Sequence, residues 1–186
     1  DVMKKSISEP RNDGKINPCV GAVLVFPNGE TVTSYRGELR EGDHAEYTLL
    51  ERKLFSRDCS QATLFVTLEP CSPDARNAPK KGCSERIVDA RIKTVYVGTV
   101  DSDPNVENQG IQYLLNNGVE VKSFTPELRK EIEEYIKGFL EQASRRQKKA
   151  KGGNNSMNYL NEIVKCNNSL EILSNKALDK YAKTLE

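Results

Sequence analysis

Residues 62–72 read Ala62-Thr63-Leu64-Phe65-Val66-Thr67-Leu68-Glu69-Pro70-Cys71-Ser72, an apolar, β-branched run that stops at a proline. Its length and composition predict a buried strand over Ala62–Leu68, with Cys71 just beyond its end. Downstream, helical segments near Ser84–Ala90 and Val106–Asn116 alternate with strand-like segments at Lys93–Val100 and Val119–Phe124. Strand, helix, strand, helix, strand is the alternation of a largely parallel sheet flanked by helices, so the fold class is α/β.

Upstream, Cys19–Phe26 is nearly unbroken in apolar residues and is bounded by Pro18 and by Pro27-Asn28-Gly29. That pattern predicts a buried strand followed by a hairpin turn. Glu30–Arg36, with Thr31, Val32, Thr33, Ser34 and Tyr35, suits a more exposed antiparallel partner. After a glycine-containing loop over 37–42, Asp43 is placed to cap a helix from about His44 to Arg57, with Ala45, Leu49, Leu50 and Leu54 as its apolar stripe. Beyond Pro126, the spacing of Leu128, Ile132, Ile136, Phe139 and Leu140 predicts one long helix that packs on the sheet or on a second subunit.

The chain has 186 residues, 37% hydrophobic and 30% charged, with a formal net charge of +1. This is the balance of a globular chain with its own core, and it excludes a disordered one. Nothing approaches the roughly 18 consecutive apolar residues of a membrane span, and no signal peptide is evident, so the expected location is cytoplasmic. The five cysteines are an odd number without regular spacing, which argues for metal or burial over a disulfide framework. Arg145, Arg146, Lys148, Lys149 and Lys151 precede Gly152-Gly153-Asn154-Asn155-Ser156, a linker composition. The division expected is therefore one domain over 1–148 and a linker with a helical C-terminal extension over 149–186. In that extension Leu170, Leu173, Ala177, Leu178, Tyr181 and Leu185 keep helical spacing.

His44 is the only histidine, and it stands in His44-Ala45-Glu46, upstream of Pro70-Cys71 and Cys83. Taken singly, Glu46 would complete a capping box with Asp43, and the cysteines would be buried thiols. Together they compose a catalytic zinc site: one imidazole and two thiolates as ligands, a fourth position for water, and a carboxylate to move protons. Residues two apart in mid-helix point to opposite sides, but at the first turn of a helix His44 and Glu46 can both face one cavity. The set fits the His-x-Glu and Pro-Cys signature of zinc deaminases.

With these residues the sequence resembles the cytidine deaminase-like superfamily, and most closely the pyrimidine deaminase domain of the bifunctional riboflavin-biosynthesis deaminase/reductases. The matching stretches are Asn17-Pro18-Cys19-Val20-Gly21-Ala22-Val23, His44-Ala45-Glu46, Thr67-Leu68-Glu69-Pro70-Cys71-Ser72, residues 101–110 and Gly118-Val119-Glu120-Val121. The resemblance spans about Lys15 to Leu140. It implies a three-layer α/β/α fold with a mixed, mostly parallel central sheet, a Zn2+ cofactor on His44, Cys71 and Cys83, and Glu46 as the proton carrier. It also implies hydrolytic deamination of an aminopyrimidine or related nucleotide, with Asn17 helping to hold the substrate, and homo-oligomerisation.

The departures from the pattern bear on the substrate. Glu38 stands where the family tends to have a histidine. Eleven residues separate Cys71 from Cys83, and the loop between them lacks the family's His and its Gly-Arg-Thr-Pro-Pro run, leaving Arg76 and Lys80 to meet a phosphate. The Asp-Pro-Asn-Pro pattern becomes Asp101-Ser102-Asp103-Pro104, with Asp101 and Asp103 expected at the substrate. Two other readings stay open. One is a deaminase of a base in DNA or RNA or of a free nucleoside, with the basic stretch Arg145–Lys151 as its contact; sparse aromatics weaken it. The other is a catalytically retired domain used for binding or assembly, its zinc closed by a fourth ligand such as Cys19.

Overall fold

The strand read from residues 62–72 is the centre of the sheet. A computed structural model describes residues 1–6, 14–76, 79–103 and 107–150. Five strands are ordered β2-β1-β3-β4-β5: β1 Gly21–Val25, β2 Thr31–Tyr35, β3 Thr63–Leu68, β4 Thr94–Thr99 and β5 Glu120–Ser123. β3 pairs in parallel with β4, and β4 with β5, as the strand–helix alternation predicts. β1 pairs antiparallel with β2 through the Pro27-Asn28-Gly29 turn and antiparallel with β3 on its other side, so the sheet is mixed.

The strand period of two sorts the faces. Leu64, Val66, Val95 and Val97 share one face and are fully buried, each contributing about 1.5–3 kcal/mol relative to an exposed position. Helix α1 begins at Ala45–Tyr47, α2 spans Cys83–Asp89 and α3 spans Gln109–Asn116; α2 packs against both of the others, with α1 on β1 and β2 and α3 on β5. On the opposite face Phe65 stacks on Tyr96 across the β3–β4 pair, ring centroids 4.7 Å apart. There α4, Pro126–Tyr135, lies over β4: a Cβ on Gly98 would stand 2.7 Å from Ile132 Cδ1 and 2.5 Å from Thr67 O. Helices on both faces of a mixed sheet make the three-layer α/β/α arrangement.

Three local expectations are corrected. The helix after Asp43 is α-helical only over Ala45–Tyr47 and continues as a π-helix over Thr48–Lys53, where Leu54 N–H bonds Leu49 O five residues back. Its predicted stripe of Ala45, Leu49, Leu50 and Leu54 is nonetheless buried. Its N-cap is His44 in extended conformation, not Asp43, whose backbone is engaged with Arg40 and Gly37. The long helix predicted after Pro126 is interrupted at Ile136, which leaves α-helical geometry and divides it into α4 and α5, Lys137–Ala150. The break lets Ile132, Ile136 and Phe139 all enter the core.

Helix α5 carries helical backbone past residue 148 to Ala150. The glycine-rich linker and the tail helix read from the sequence lie outside the described residues. No helix among the described residues is long and apolar enough to cross a membrane.

Candidate metal centre and active-site cavity

His44, Cys71 and Cys83 come together although they belong to three separate junctions. Their donor atoms all lie within 4.8 Å of one another. His44 Nδ1 is 3.3 Å from Cys83 Sγ and 3.7 Å from Cys71 Sγ. Zinc–nitrogen and zinc–sulfur bonds of usual length in a tetrahedron set an N···S edge of about 3.6 Å, so His44 Nδ1 already stands at close to zinc-binding distance from each sulfur. Two thiolates and a neutral imidazole also match the charge of the dication. Among the described residues no fourth ligand joins them: Cys19 donates its thiol to Ser6 O at 3.3 Å, which removes the residue offered above for a closed structural site.

The two cysteines meet across their long loop because α2 captures the end of the β3 segment. Cys83, the first residue of α2, donates its N–H to Cys71 Sγ at 3.2 Å, and Ser84 donates both N–H and Oγ–H to Cys71 O at 3.1 and 3.0 Å. Gly82 permits the approach: a Cβ there would stand 2.4 Å from Ser72 O. Glu85 fixes the same turn by accepting Gly82 N–H at 2.6 Å. The Cys71 thiol is held down at about 4, first by its hydrogen bond with Cys83 and then by His44, against the opposing effect of burial. Cys83 moves the other way, raised by its hydrogen bond to Cys71 and by burial. Without metal, Cys71 is thus the more acidic thiol of the pair.

Glu46 reaches the same centre because His44, as an extended N-cap, does not share the helical phase of the residues after it. This resolves the objection to a His-x-Glu pair on one helix. Glu46 is 3% exposed, and burial raises its carboxyl pKa, opposed by His44 and by a hydrogen bond with Cys83. A carboxyl raised above its ordinary range in this way is better suited to hold and return a proton than a free one.

In front of the cluster lies a cavity of about 550 Å³, the size of a small-molecule site. Of the residues expected at the substrate, Asn17, Arg76, Asp101 and Asp103 line it together with His44 and Cys71. Lys80 does not; it is exposed on the loop before α2. Glu38 is also elsewhere, held by Lys53 Nζ at 2.6 Å. Arg76 donates to His44 Nε2, the ring nitrogen that faces away from the two sulfurs.

Sequence reasoning missed five lining residues, Gly42 and Ala75 and the larger side chains Arg36, Glu41 and Phe139. Arg36, just past β2, donates to Asn17 Oδ1 at 3.2 Å; Glu41 sits in the loop before His44; and Phe139 comes from α5, where its spacing signalled only core. Gln142 of α5 clamps the segment that leads to Asn17, accepting Ile16 N–H and donating to Gly14 O, both at 2.9 Å. The basic stretch is partly countered where its side chains are described, since Arg145 lies 3.9 Å from Glu141.

The fold and this donor set define a zinc-binding deaminase domain. The chain belongs to the family of the cytidine and deoxycytidylate deaminase zinc-binding region, whose model matches residues 1–99. It is 40% identical over 105 residues to the riboflavin biosynthesis protein RibD of Actinobacillus pleuropneumoniae, covering 56% of this chain and 26% of that protein. It is 31% identical over 124 residues to the diaminohydroxyphosphoribosylamino-pyrimidine deaminase of Buchnera aphidicola from Schizaphis graminum, covering 67% of this chain and 79% of the relative. The solved deaminase/reductase of Thermotoga maritima superposes with a TM-score of 0.64 at 29% identity, over 78% of this chain and 39% of that one. The chain thus spans about a quarter of the length of the RibD proteins it matches.

Proposed function

We propose that this chain hydrolytically deaminates an aminopyrimidine nucleotide similar to the phosphoribosylated diaminopyrimidine named for its Buchnera relative. The observation that carries the reading is the convergence of His44, Cys71 and Cys83, with Glu46 buried against Cys83 and a cavity lined by His44 and Cys71. Bound there, zinc supplies the Lewis acidity that brings a water towards neutral pKa. His44 Nδ1 and the two sulfurs would hold the ion. Glu46 would carry the attacking water's first proton to the ring nitrogen and its second, from the hydroxyl so added to the carbon, to the amine, so that the amine leaves as ammonia and a carbonyl remains. Asn17 orients the ring, held on one side by Arg36. The lining supports a substrate with both donor-rich and anionic parts: Glu41, Asp101 and Asp103 suit exocyclic amines, and Arg76 suits a phosphate. Self-association belongs to the same proposal.

The test is ammonia release by the zinc-loaded chain from a panel comprising the diaminopyrimidinone ribose phosphate, cytosine and adenine nucleosides and nucleotides, guanine and single-stranded oligonucleotides, with Glu46→Ala as blank. Turnover of the pyrimidine phosphate supports the reading. Turnover of an oligonucleotide alone replaces it with the nucleic-acid alternative, and silence across the panel at full zinc loading overturns it.

A further inference from the structure

Glu69 has no part in the chemistry just described, yet it is a carboxylate only 5% exposed, one residue before Pro70-Cys71. Its partners are all backbone N–H groups. Oε2 accepts from Asp101 at 3.3 Å and from Asn108 at 3.0 Å; Oε1 accepts from Gly110 at 3.0 Å and from Ile111 at 3.3 Å. One oxygen therefore holds the segment after β4 at both of its ends, and the other serves the open first turn of α3. That turn has no cap of its own, because Asn108 is at φ +60° and makes no capping side-chain bond. The contact is close enough to dictate a glycine: a Cβ on Gly110 would stand 1.7 Å from Pro70 O. Asp101 Oδ1 in turn accepts Asp103 N–H at 2.9 Å, so both cavity-lining aspartates belong to the segment that Glu69 holds.

We propose that Glu69 is a positioning residue that locks the Asp101–Asp103 wall of the cavity onto the Pro70–Cys71 segment, and so sets how tightly the substrate's ring edge is gripped relative to the metal centre. The inference rests on the deaminase reading for its kinetic consequence, but not for its structural one. The position demands a side chain that accepts at both of its terminal atoms, since four backbone N–H donors converge on Oε1 and Oε2. An amide of the same shape turns an NH2 towards two of the four N–H donors and loses those bonds.

The test uses the zinc-loaded full chain with Glu69→Gln and Gly110→Ala, which disturb the same junction from its two sides. Zinc content should remain at the wild-type level in both, because Cys71 is anchored separately by Cys83 and Ser84. KM for the diaminopyrimidinone ribose phosphate should rise about tenfold with kcat within about threefold of wild type, the effect of a lost supporting bond. Amide hydrogen exchange should accelerate at Asp101 and Asn108 in Glu69→Gln. Wild-type protein inactive on the panel sinks the deaminase reading while the exchange and zinc measurements still decide the positioning role. Unchanged protection at Asp101 and Asn108, or a fall in thermal stability with KM unmoved in an active enzyme, overturns the proposal. If Gly110→Ala does not fold, the isosteric Glu69→Gln variant carries the decision.

Discussion

His44 Nδ1 lies 3.3 Å from Cys83 Sγ, so an imidazole from one helix start and a thiol from another can reach the same metal position. Removing either donor leaves two, too few for a firmly held zinc. Cys83→Ala should lose zinc after dialysis, measured as metal per chain by atomic emission. Glu46→Gln should retain it while lowering turnover about 10²–10⁴-fold, the usual loss when a positioned acid–base group is removed. Equal zinc loss in both variants counts against the roles given to them.

The depressed Cys71 thiol gives metal-free protein a pH signature. An ordinary thiol becomes reactive as pH rises towards its own pKa near 9, whereas Cys71 is already thiolate above about 4. Alkylation of zinc-free protein should therefore modify Cys71 ahead of the other described cysteines and at a nearly constant rate between pH 6 and 8, as read by peptide mass spectrometry. Cys19, Cys59 and Cys83 should lag, being buried with raised pKa values. Zinc should protect Cys71. A Cys71 rate rising tenfold per pH unit across that range contradicts the assignment.

Arg76 and Lys80 looked equivalent as phosphate partners, but only Arg76 lines the cavity. Arg76→Ala should weaken binding of a phosphorylated aminopyrimidine by about 1.5–3 kcal/mol, the range of hydrogen bonds to charged groups. Lys80→Ala should leave it within error, by calorimetric titration of the zinc-loaded protein. Equal losses would return Lys80 to the site.

The packing of α4 on β4 depends on the absence of a side chain at Gly98. Gly98→Ala places a methyl 2.5 Å from Thr67 O and 2.7 Å from Ile132 Cδ1, and should cost about 1–3 kcal/mol in denaturant unfolding. Trimming Ile132 to Val beside it should not recover that loss, because the closer clash is with backbone. Full recovery in the double variant would mean that Ile132 alone sets the spacing.

Much of this architecture was legible because burial leaves a period in the sequence. The apolar runs at Cys19–Phe26 and Ala62–Leu68 marked β1 and β3, and the strand–helix alternation after Cys71 gave the parallel half of the sheet. The antiparallel pairing of β1 with β3 was not legible, since a buried strand has the same apolar pattern whichever way its neighbour runs. The π-helical turn over Thr48–Lys53 and the break at Ile136 escaped for a related reason: the apolar stripe continues through both, and only the backbone bonds change.

The sequence by itself determined the chemistry. One histidine, a glutamate two residues on and two cysteines at element ends restrict the donors to nitrogen and sulfur, and these types bind zinc whatever scaffold holds them. The tertiary structure decided the geometry: which nitrogen of His44 faces the sulfurs, that Arg36, Glu41 and Phe139 line the cavity while Lys80 does not, and that Glu69 serves four backbone donors from 32 to 42 residues away. Spacing along the chain carries local periodicity, whereas those contacts join residues whose separation in sequence places no limit on their distance in space.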